Sequence, residues 1–143
     1  WSSDVCSSDL QFTSATSSIT QKAMHAAMLM PASSTNEMRD AFLRRRNLVL
    51  NELKTIPGLK LNSPEGAFYV FPEVSAFFGK KYKGKTINSG TDLCAFLLED
   101  AHVALVPGAA FGDDNYIRFS YATSDERLME ACSRIREAFK KLL

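Results

Sequence analysis

The chain has 143 residues, which is enough for one ordinary domain that buries about 68–70% of its unfolded surface. Hydrophobic residues make up 45% and charged residues 23%, a globular composition, and the net charge of +1 gives no general attraction to nucleic acid or membranes. No apolar run reaches the roughly 20 residues that cross a bilayer and no secretory signal opens the chain, so we expect a cytoplasmic protein without nucleic-acid or membrane partners.

Cysteine and histidine usage indicates neither a disulfide framework nor a metal site. The three cysteines, Cys6, Cys94 and Cys132, form no CxxC pair and leave one thiol over. His25 and His102 have no spacing to other ligand residues that would complete a metal site. We therefore expect reduced thiols and structural histidines.

The first ten residues differ from the rest in pattern. Residues 1–10 repeat Ser-Ser-Asp, lack an initiating methionine and join a well-patterned segment abruptly at Gln11. Such a stretch is typical of a translated adapter or an assembly scar, and we exclude it from fold reasoning.

Two helices are predicted next. Ser18 and Gln21 have the spacing of a capping box, and apolar residues recur at helical intervals until Pro31. Ser34 and Glu37 repeat that signal and open a long amphipathic helix that ends before Pro57-Gly58. The arginines of this helix are interspersed with acidic residues, which favours a solvated face over a nucleic-acid surface. They are Arg39, Arg44, Arg45 and Arg46.

The second half of the chain alternates strands and helices. A helix from Ser89 to Ala101 and a last helix capped by Thr123 or Ser124 are predicted. Strands are predicted at 67–71, 103–106 and 116–121, and a lysine-rich loop follows the first of them. This order predicts a two-layer α/β (α+β) fold, in which helices cover one face of a small sheet.

One stretch matches a nucleotide-binding pattern. Residues 79–86 satisfy G-x-x-x-x-G-K-[ST], the loop that cradles phosphates. That function requires a strand running into the loop and a helix starting at Lys85-Thr86, and the sequence predicts neither. A solvated lysine-rich loop is favoured, and a nucleotide site is the weaker alternative.

A single arginine interrupts the strand predicted at 116–121. Alternation places Ile117, Phe119 and Tyr121 on one face and Tyr116, Arg118 and Ser120 on the other. The planar guanidinium of Arg118 suits a ligand carboxylate, to which it can donate two parallel hydrogen bonds. Spacing alone leaves open an ordinary ion pair with a neighbouring Asp or Glu.

Two other segments belong to, or follow, the remaining predicted strands. In the first strand, Phe68 is either core or the wall of a cleft, because neighbouring side chains alternate in direction. The segment from Pro107 to Gly112 is interpreted as a glycine-containing connector without a chemically active side chain.

Three segments together resemble the carboxyl-terminal region of the class I pyridoxal-phosphate-dependent aminotransferases, especially the bacterial aspartate aminotransferase group. They are Gly66–Pro72, Val103–Gly112 and Ile117–Ala122. The resemblance implies that Arg118 binds the substrate α-carboxylate and that Phe68 lines the substrate site. It also implies the small C-terminal domain of the PLP-dependent transferase fold at 58–143, a linking helix at 32–57 and the trailing edge of the large cofactor-binding domain at 11–31.

The same resemblance implies what the chain lacks. Transamination needs a lysine that holds pyridoxal 5'-phosphate, and no lysine here has the family's sequence setting. We therefore expect no catalytic, cofactor-binding or metal-binding residue in this chain, and no activity from it alone. The complete enzyme is expected to be a homodimer that acts on amino acids and 2-oxo acids. The alternatives are a stand-alone module that binds small carboxylates and the phosphate-loop nucleotide binder.

Overall fold

A computed structural model describes residues 16–142, so the adapter predicted at 1–10 and Cys6 lie outside the described range. The described residues divide into two compact units, with the division between Glu37 and Met38. Among the described residues, no helix combines the length and the apolar character needed to cross a membrane.

The first unit contains helix α1, Ser18–Leu29, and a 3-10 helix at Ala32–Thr35. The predicted helix before Pro31 is confirmed, but its predicted capping box is wrong. Ser17 occupies the N-cap position, so Ser18 is already helical, and the Gln21 side-chain amide donates to the Thr16 carbonyl at 2.6 Å.

The long helix α2 runs from Asn36 to Leu53. It begins later than predicted, because Ser34 lies in the preceding 3-10 helix and its hydroxyl donates to the Pro31 carbonyl. Beyond Leu53 the backbone N–H groups of Thr55 and Ile56 donate to carbonyls three residues earlier. The chain then turns at Gly58, whose φ is +93°. The helix buries Val49, Leu50 and Leu53, all three of which belong to the second unit.

The main sheet has three antiparallel strands, β1 at Tyr69–Val70, β4 at Val106–Pro107 and β5 at Ile117–Ser120, in the order β1, β5, β4. All three strands are shorter than predicted. Ala67 has a left-handed φ of +58°, so β1 cannot begin there. Val103 lies outside β4, because its backbone N–H donates to the Leu97 carbonyl, which belongs to a helix.

The segment with the nucleotide-binding pattern folds as a hairpin of β2, Lys81–Tyr82, and β3, Lys85–Thr86. Its turn residues Lys83 and Gly84 both have positive φ, at +47° and +81°. Lys85 and Thr86 pair within the hairpin, and the next helix begins only at Gly90. The nucleotide-loop alternative is therefore wrong, and the lysine-rich loop is a two-stranded ribbon.

Two capped helices complete the fold: α3, Gly90–Ala101, and α4, Asp125–Phe139. The hydroxyl of Ser89 accepts from the Asp92 backbone N–H, and that of Ser124 accepts from the Arg127 backbone N–H. Both predicted helices are confirmed.

The core of the second unit lies on one side of the sheet. Ile117, Phe119 and Tyr121 are buried, whereas Arg118 is partly buried and Ser120 is exposed. This confirms the predicted two-layer fold with helices on a single face. The helical residues of this core include Leu50, Leu53, Leu93, Leu97, Leu128, Ile135 and Phe139.

Candidate functional site

The candidate site is centred on Arg118, on the face of the central strand β5 that points away from the core. The alternation expected from the sequence is observed, because Ile117 is 3% exposed and Phe119 4% exposed on the opposite face. Arg118 lies opposite Val106 of β4, while Tyr69 of β1 lies opposite Ser120. The guanidinium therefore extends from the central strand of the sheet, between its two edge strands.

Two aromatic rings contact the guanidinium. The Arg118 Cζ atom lies 4.5 Å from the ring centroid of Tyr69 and 4.6 Å from that of Phe111. Tyr69 comes from β1, and Phe111 comes from the 3-10 helix that follows β4, so the rings approach from opposite edges of the sheet. Both distances are within the range in which an aromatic face attracts a cation.

Further aromatic residues extend this arrangement into a row. Phe111 meets Phe71 edge to face, with centroids 5.9 Å apart and an interplanar angle of 88°. Phe71 in turn stacks on Tyr116, at 5.0 Å and 6°. We call the set formed by Tyr69, Arg118, Phe111, Phe71 and Tyr116 the aromatic row.

Phe111 reaches Arg118 because the connector after β4 turns back closely over β5. The Gly108 backbone N–H donates to the Tyr116 carbonyl at 2.8 Å, and a Cβ atom at Gly108 would lie 2.5 Å from that oxygen. Only glycine allows this approach. The sequence interpretation assigned the connector no chemically active side chain, and it did not predict that Phe111 contacts Arg118. The available signal was an aromatic residue between Gly108 and Gly112 that precedes the arginine strand.

The ion pair that spacing left open for Arg118 is not present among residues 16–142. No carboxylate of the described chain lies within 4.0 Å of its guanidinium, whereas other arginines have such partners. Arg44 and Arg45, for example, both contact Asp125. The only partners found for the Arg118 guanidinium in this range are the two rings, which leaves its N–H groups able to donate to a ligand.

Phe68, the second predicted site residue, adjoins the aromatic row. Its ring is 38% exposed and packs on Tyr69 at 4.4 Å and on Phe42 at 5.9 Å. Its backbone carbonyl accepts from the Tyr121 N–H at 2.9 Å, which fixes β1 beside β5. Phe68 is therefore connected to Arg118 through Tyr69, and it presents an apolar surface to solvent.

A surface cavity of about 380 Å³ lies beside Phe42 and is bounded by Arg46, Ala67 and Tyr121. Arg118 does not line it. The Arg46 guanidinium is already engaged, because it donates to the Pro64 carbonyl at 3.0 Å and to the Asn47 side chain. We therefore place the candidate site at the Arg118 guanidinium, which has no carboxylate partner among residues 16–142, and not at this cavity.

An aldehyde cofactor is held by a lysine through an imine. Such a lysine must lose its proton to form an imine, which requires a desolvated amine with a lowered pKa. Every lysine of the chain is within the described residues, and none is buried. Hydrogen bonds raise the pKa of three of them: Lys60 with Glu73, Lys83 with Tyr82 and Lys141 with Asp100. The lysines present do not fit that role.

The described thiols do not suggest a nucleophile. Burial raises the pKa of Cys94 to about 11 and that of Cys132 to about 12, so both are neutral near pH 7. No group of three or more metal-ligating residues occurs in the part of the chain that the structure describes.

Comparisons with known proteins identify the family of this chain. Residues 5–135 match the family described as aminotransferase class I and II. The match begins within the ten residues predicted as an adapter, and their origin stays a prediction. A Rhizobium meliloti aspartate aminotransferase is 50% identical over 133 residues, which are 92% of this chain and 32% of that protein. A probable aspartate/prephenate aminotransferase of Aquifex aeolicus is 48% identical over 75% of this chain and 26% of that protein.

Solved structures give the same result. The crystal structure of the Rhizobium meliloti aspartate aminotransferase superposes with a TM-score of 0.84 at 48% identity, covering 89% of this chain and 32% of that one. An aromatic aminotransferase from Pyrococcus horikoshii gives 0.65 at 37% identity, over 76% of this chain and 27% of that one. The chain spans about a third of the length of the curated relatives it matches first, as the 32% coverage shows. The family match covers well over half of the sequence, and the chain belongs to the class I and II aminotransferases.

Proposed function

We propose that this chain is the C-terminal part of a pyridoxal-phosphate-dependent aminotransferase, and that Arg118 binds the α-carboxylate of its substrates. The observation that supports this role is the Arg118 guanidinium itself. It stands on the open face of β5, contacts two aromatic rings and has no carboxylate partner among the described residues. A cation of this kind can donate two parallel hydrogen bonds to a carboxylate.

The proposed contribution of Arg118 to the reaction is positioning. Donation from two guanidinium N–H groups would fix both oxygens of the α-carboxylate, and with them the position and plane of that carboxylate. Phe68 would add an apolar wall next to the carboxylate. Holding the reacting atoms in one orientation accounts for several kcal/mol of catalysis in well-ordered sites.

The complete enzyme would take its cofactor lysine from outside this chain. Pyridoxal phosphate, which the family implies, supplies an electron sink for amino-group transfer when it is bound. The exposed lysines described above do not suit it. We therefore propose that the chain is inactive by itself, and that the complete protein is a cytoplasmic homodimer that transfers amino groups between amino acids and 2-oxo acids.

A chimera tests the proposal. Residues 11–143 would replace the matching third of the Rhizobium meliloti aspartate aminotransferase, and amino-group transfer from aspartate to 2-oxoglutarate would be measured with added pyridoxal phosphate. We expect activity from the chimera and none from the 143-residue chain. An inactive but folded chimera that binds the cofactor would contradict the proposed function.

Arg118→Lys in the active chimera tests the residue. A lysine keeps the charge but loses the planar pair of donors, so we expect kcat/KM for aspartate and for 2-oxoglutarate to fall together by roughly 100-fold. The matched control is Arg134→Lys on the exposed surface of α4, with a change below about twofold. Unchanged kcat/KM for both substrates would refute the assignment. Saturable amino-acid binding by the isolated chain that needs Arg118 would instead favour the stand-alone carboxylate-binding module.

A further inference from the structure

The two rings that contact Arg118 have a function of their own. We infer that Tyr69 and Phe111 are positioning residues that hold the Arg118 guanidinium in place for a carboxylate ligand. This inference rests on the proposed function of Arg118. It adds two residues from different segments of the chain, one of them in the connector after β4.

An arginine side chain without an anionic partner is mobile. A long side chain that lacks an anionic partner samples many rotamers, and a ligand that binds it must restrict them. A carboxylate placed next to Arg118 would restrict them as well, but it would also compete with the substrate for the same N–H donors. Aromatic faces attract the cation through the ring quadrupole and accept no strong N–H hydrogen bond in the guanidinium plane.

The arrangement of the two rings limits this mobility. Tyr69 and Phe111 lie at 4.5 Å and 4.6 Å from the Arg118 Cζ and belong to two separate segments, β1 and the 3-10 helix after β4. Movement of the guanidinium away from either ring loses that contact, so the two rings together restrict the positions that it can take.

Neighbouring groups hold Phe111 itself in place. Its ring is 50% exposed, so burial alone does not explain its position. Phe71 contacts it edge to face, and Phe71 is stacked on Tyr116, which belongs to the segment that enters β5. The close approach at Gly108 sets the backbone of the connector. Phe111 is therefore supported from two directions at the point where it meets Arg118.

The experiment is a double-mutant cycle in the active chimera. Phe111→Leu keeps an apolar side chain of moderate size but removes the ring. We expect KM for both aspartate and 2-oxoglutarate to rise roughly five- to tenfold with kcat changed less than about twofold, which is the size of a partly desolvated cation–π contact. Phe111→Trp, which keeps an aromatic face, should stay within about twofold of the parent. Leu98→Ala, at a side chain 54% exposed on α3, is the matched control and should leave both constants unchanged.

The decisive measurement is whether the effect depends on Arg118. In an Arg118→Met background, which removes the cation that the ring attracts, Phe111→Leu should change KM by less than about twofold, because the contact that it removes is already lost. A fully additive loss would overturn the inference, since it would show that Phe111 acts independently of the arginine. An unchanged KM in Phe111→Leu with a large loss in Arg118→Lys would also overturn it, while leaving the proposed function intact.

Tyr69 provides the same test from the other edge of the sheet. Tyr69→Leu is compared with Tyr69→Phe, which retains the ring and loses only the hydroxyl. We expect the Leu variant to raise KM and the Phe variant to restore it, again only when Arg118 is present. Equal loss in both variants would overturn the inference for Tyr69, and this pair replaces the Phe111 cycle if Phe111→Leu does not fold.

Discussion

Arginines occupy two contrasting regions of the second unit. Arg44 and Arg45 of α2 meet Asp125 at the start of α4, with N to O distances of 2.9 Å and 3.1 Å. Arg118 of β5 meets only rings within the described residues. The first region joins two helices through opposite charges, whereas the second orders a cation without neutralising it.

The difference shows that arginine can serve two purposes, an internal ion pair or a contact to a ligand. The Asp125 carboxylate uses its lone pairs on Arg44 and Arg45, and those hydrogen bonds hold the pKa of Asp125 below its ordinary value. A ligand carboxylate would have to displace Asp125 to bind there. At Arg118 it would have to displace no carboxylate of residues 16–142, which is why we place substrate binding on the sheet.

The largest effect should come from Gly108→Ala, which leaves Arg118 untouched. The added Cβ would lie 2.1 Å from the Asp113 carbonyl and 2.5 Å from the Tyr116 carbonyl, both of them backbone atoms. We expect a loss of about 3 kcal/mol in stability and a raised KM, because the connector must move and carry Phe111 with it. Thermal melting and steady-state kinetics of the chimera measure the two effects.

The control for that substitution is Gly66→Ala. No atom outside its chain neighbours lies within 4 Å of a Cβ at Gly66, and its φ is not in the left-handed region. Its melting temperature should match that of the parent. If both glycine variants behaved alike, the close packing of the connector would not be the cause.

A smaller effect is expected from Asp125→Asn, which breaks the paired site. The amide cannot replace the carboxylate toward Arg44 and Arg45, so the melting temperature should fall near neutral pH while KM is unchanged. A depressed carboxyl pKa contributes stability above the ordinary value of 3.8, and this is lost as the pH falls through the depressed value. The difference between parent and variant should therefore shrink below pH 3.8. A raised KM in Asp125→Asn would contradict the separation of the two regions.

The smallest effect should be that of Arg45→Lys. Its contact with Asp125 is shared with Arg44, and a lysine keeps the charge. We expect both melting temperature and kcat/KM to stay within experimental error of the parent, since partly exposed pairs of this kind contribute little. Set beside Arg118→Lys, this variant compares the same chemical change in the two regions.

Local patterns predicted much of this fold. Alternation along 116–121 placed Arg118 on one face of the strand and the buried Ile117 and Phe119 on the other, because the two-residue period of a strand is a property of the backbone. The two helices that follow Ser89 and Ser124 were also predicted, although the sequence left the last cap open between Thr123 and Ser124 and placed Ser89 inside its helix instead of at the N-cap. At Ser17–Ser18, two serines competed for the same cap and spacing could not choose between them.

The sequence did not predict the contacts that make the site. Phe111 and Tyr69 are 42 positions apart, and they meet at Arg118 only because β1 and β4 both pair with β5. Strand order and register decide such meetings, and short apolar segments do not encode them locally. The same limit applies to Asp125, whose partners Arg44 and Arg45 lie on a helix about 80 residues earlier.

Tyr121 connects the end of strand β5 to the segment that precedes β1. Its hydroxyl donates to the Ala67 carbonyl at 3.1 Å, across a separation of 54 residues, and its backbone N–H donates to Phe68. The strand that carries Arg118 is thereby tied to Ala67 and Phe68. Under the proposed function, substitutions at Phe68 should therefore also change how Arg118 binds the α-carboxylate. Libraries that vary Phe68, Tyr121 and Arg118 neighbours jointly should outperform those that vary one position at a time.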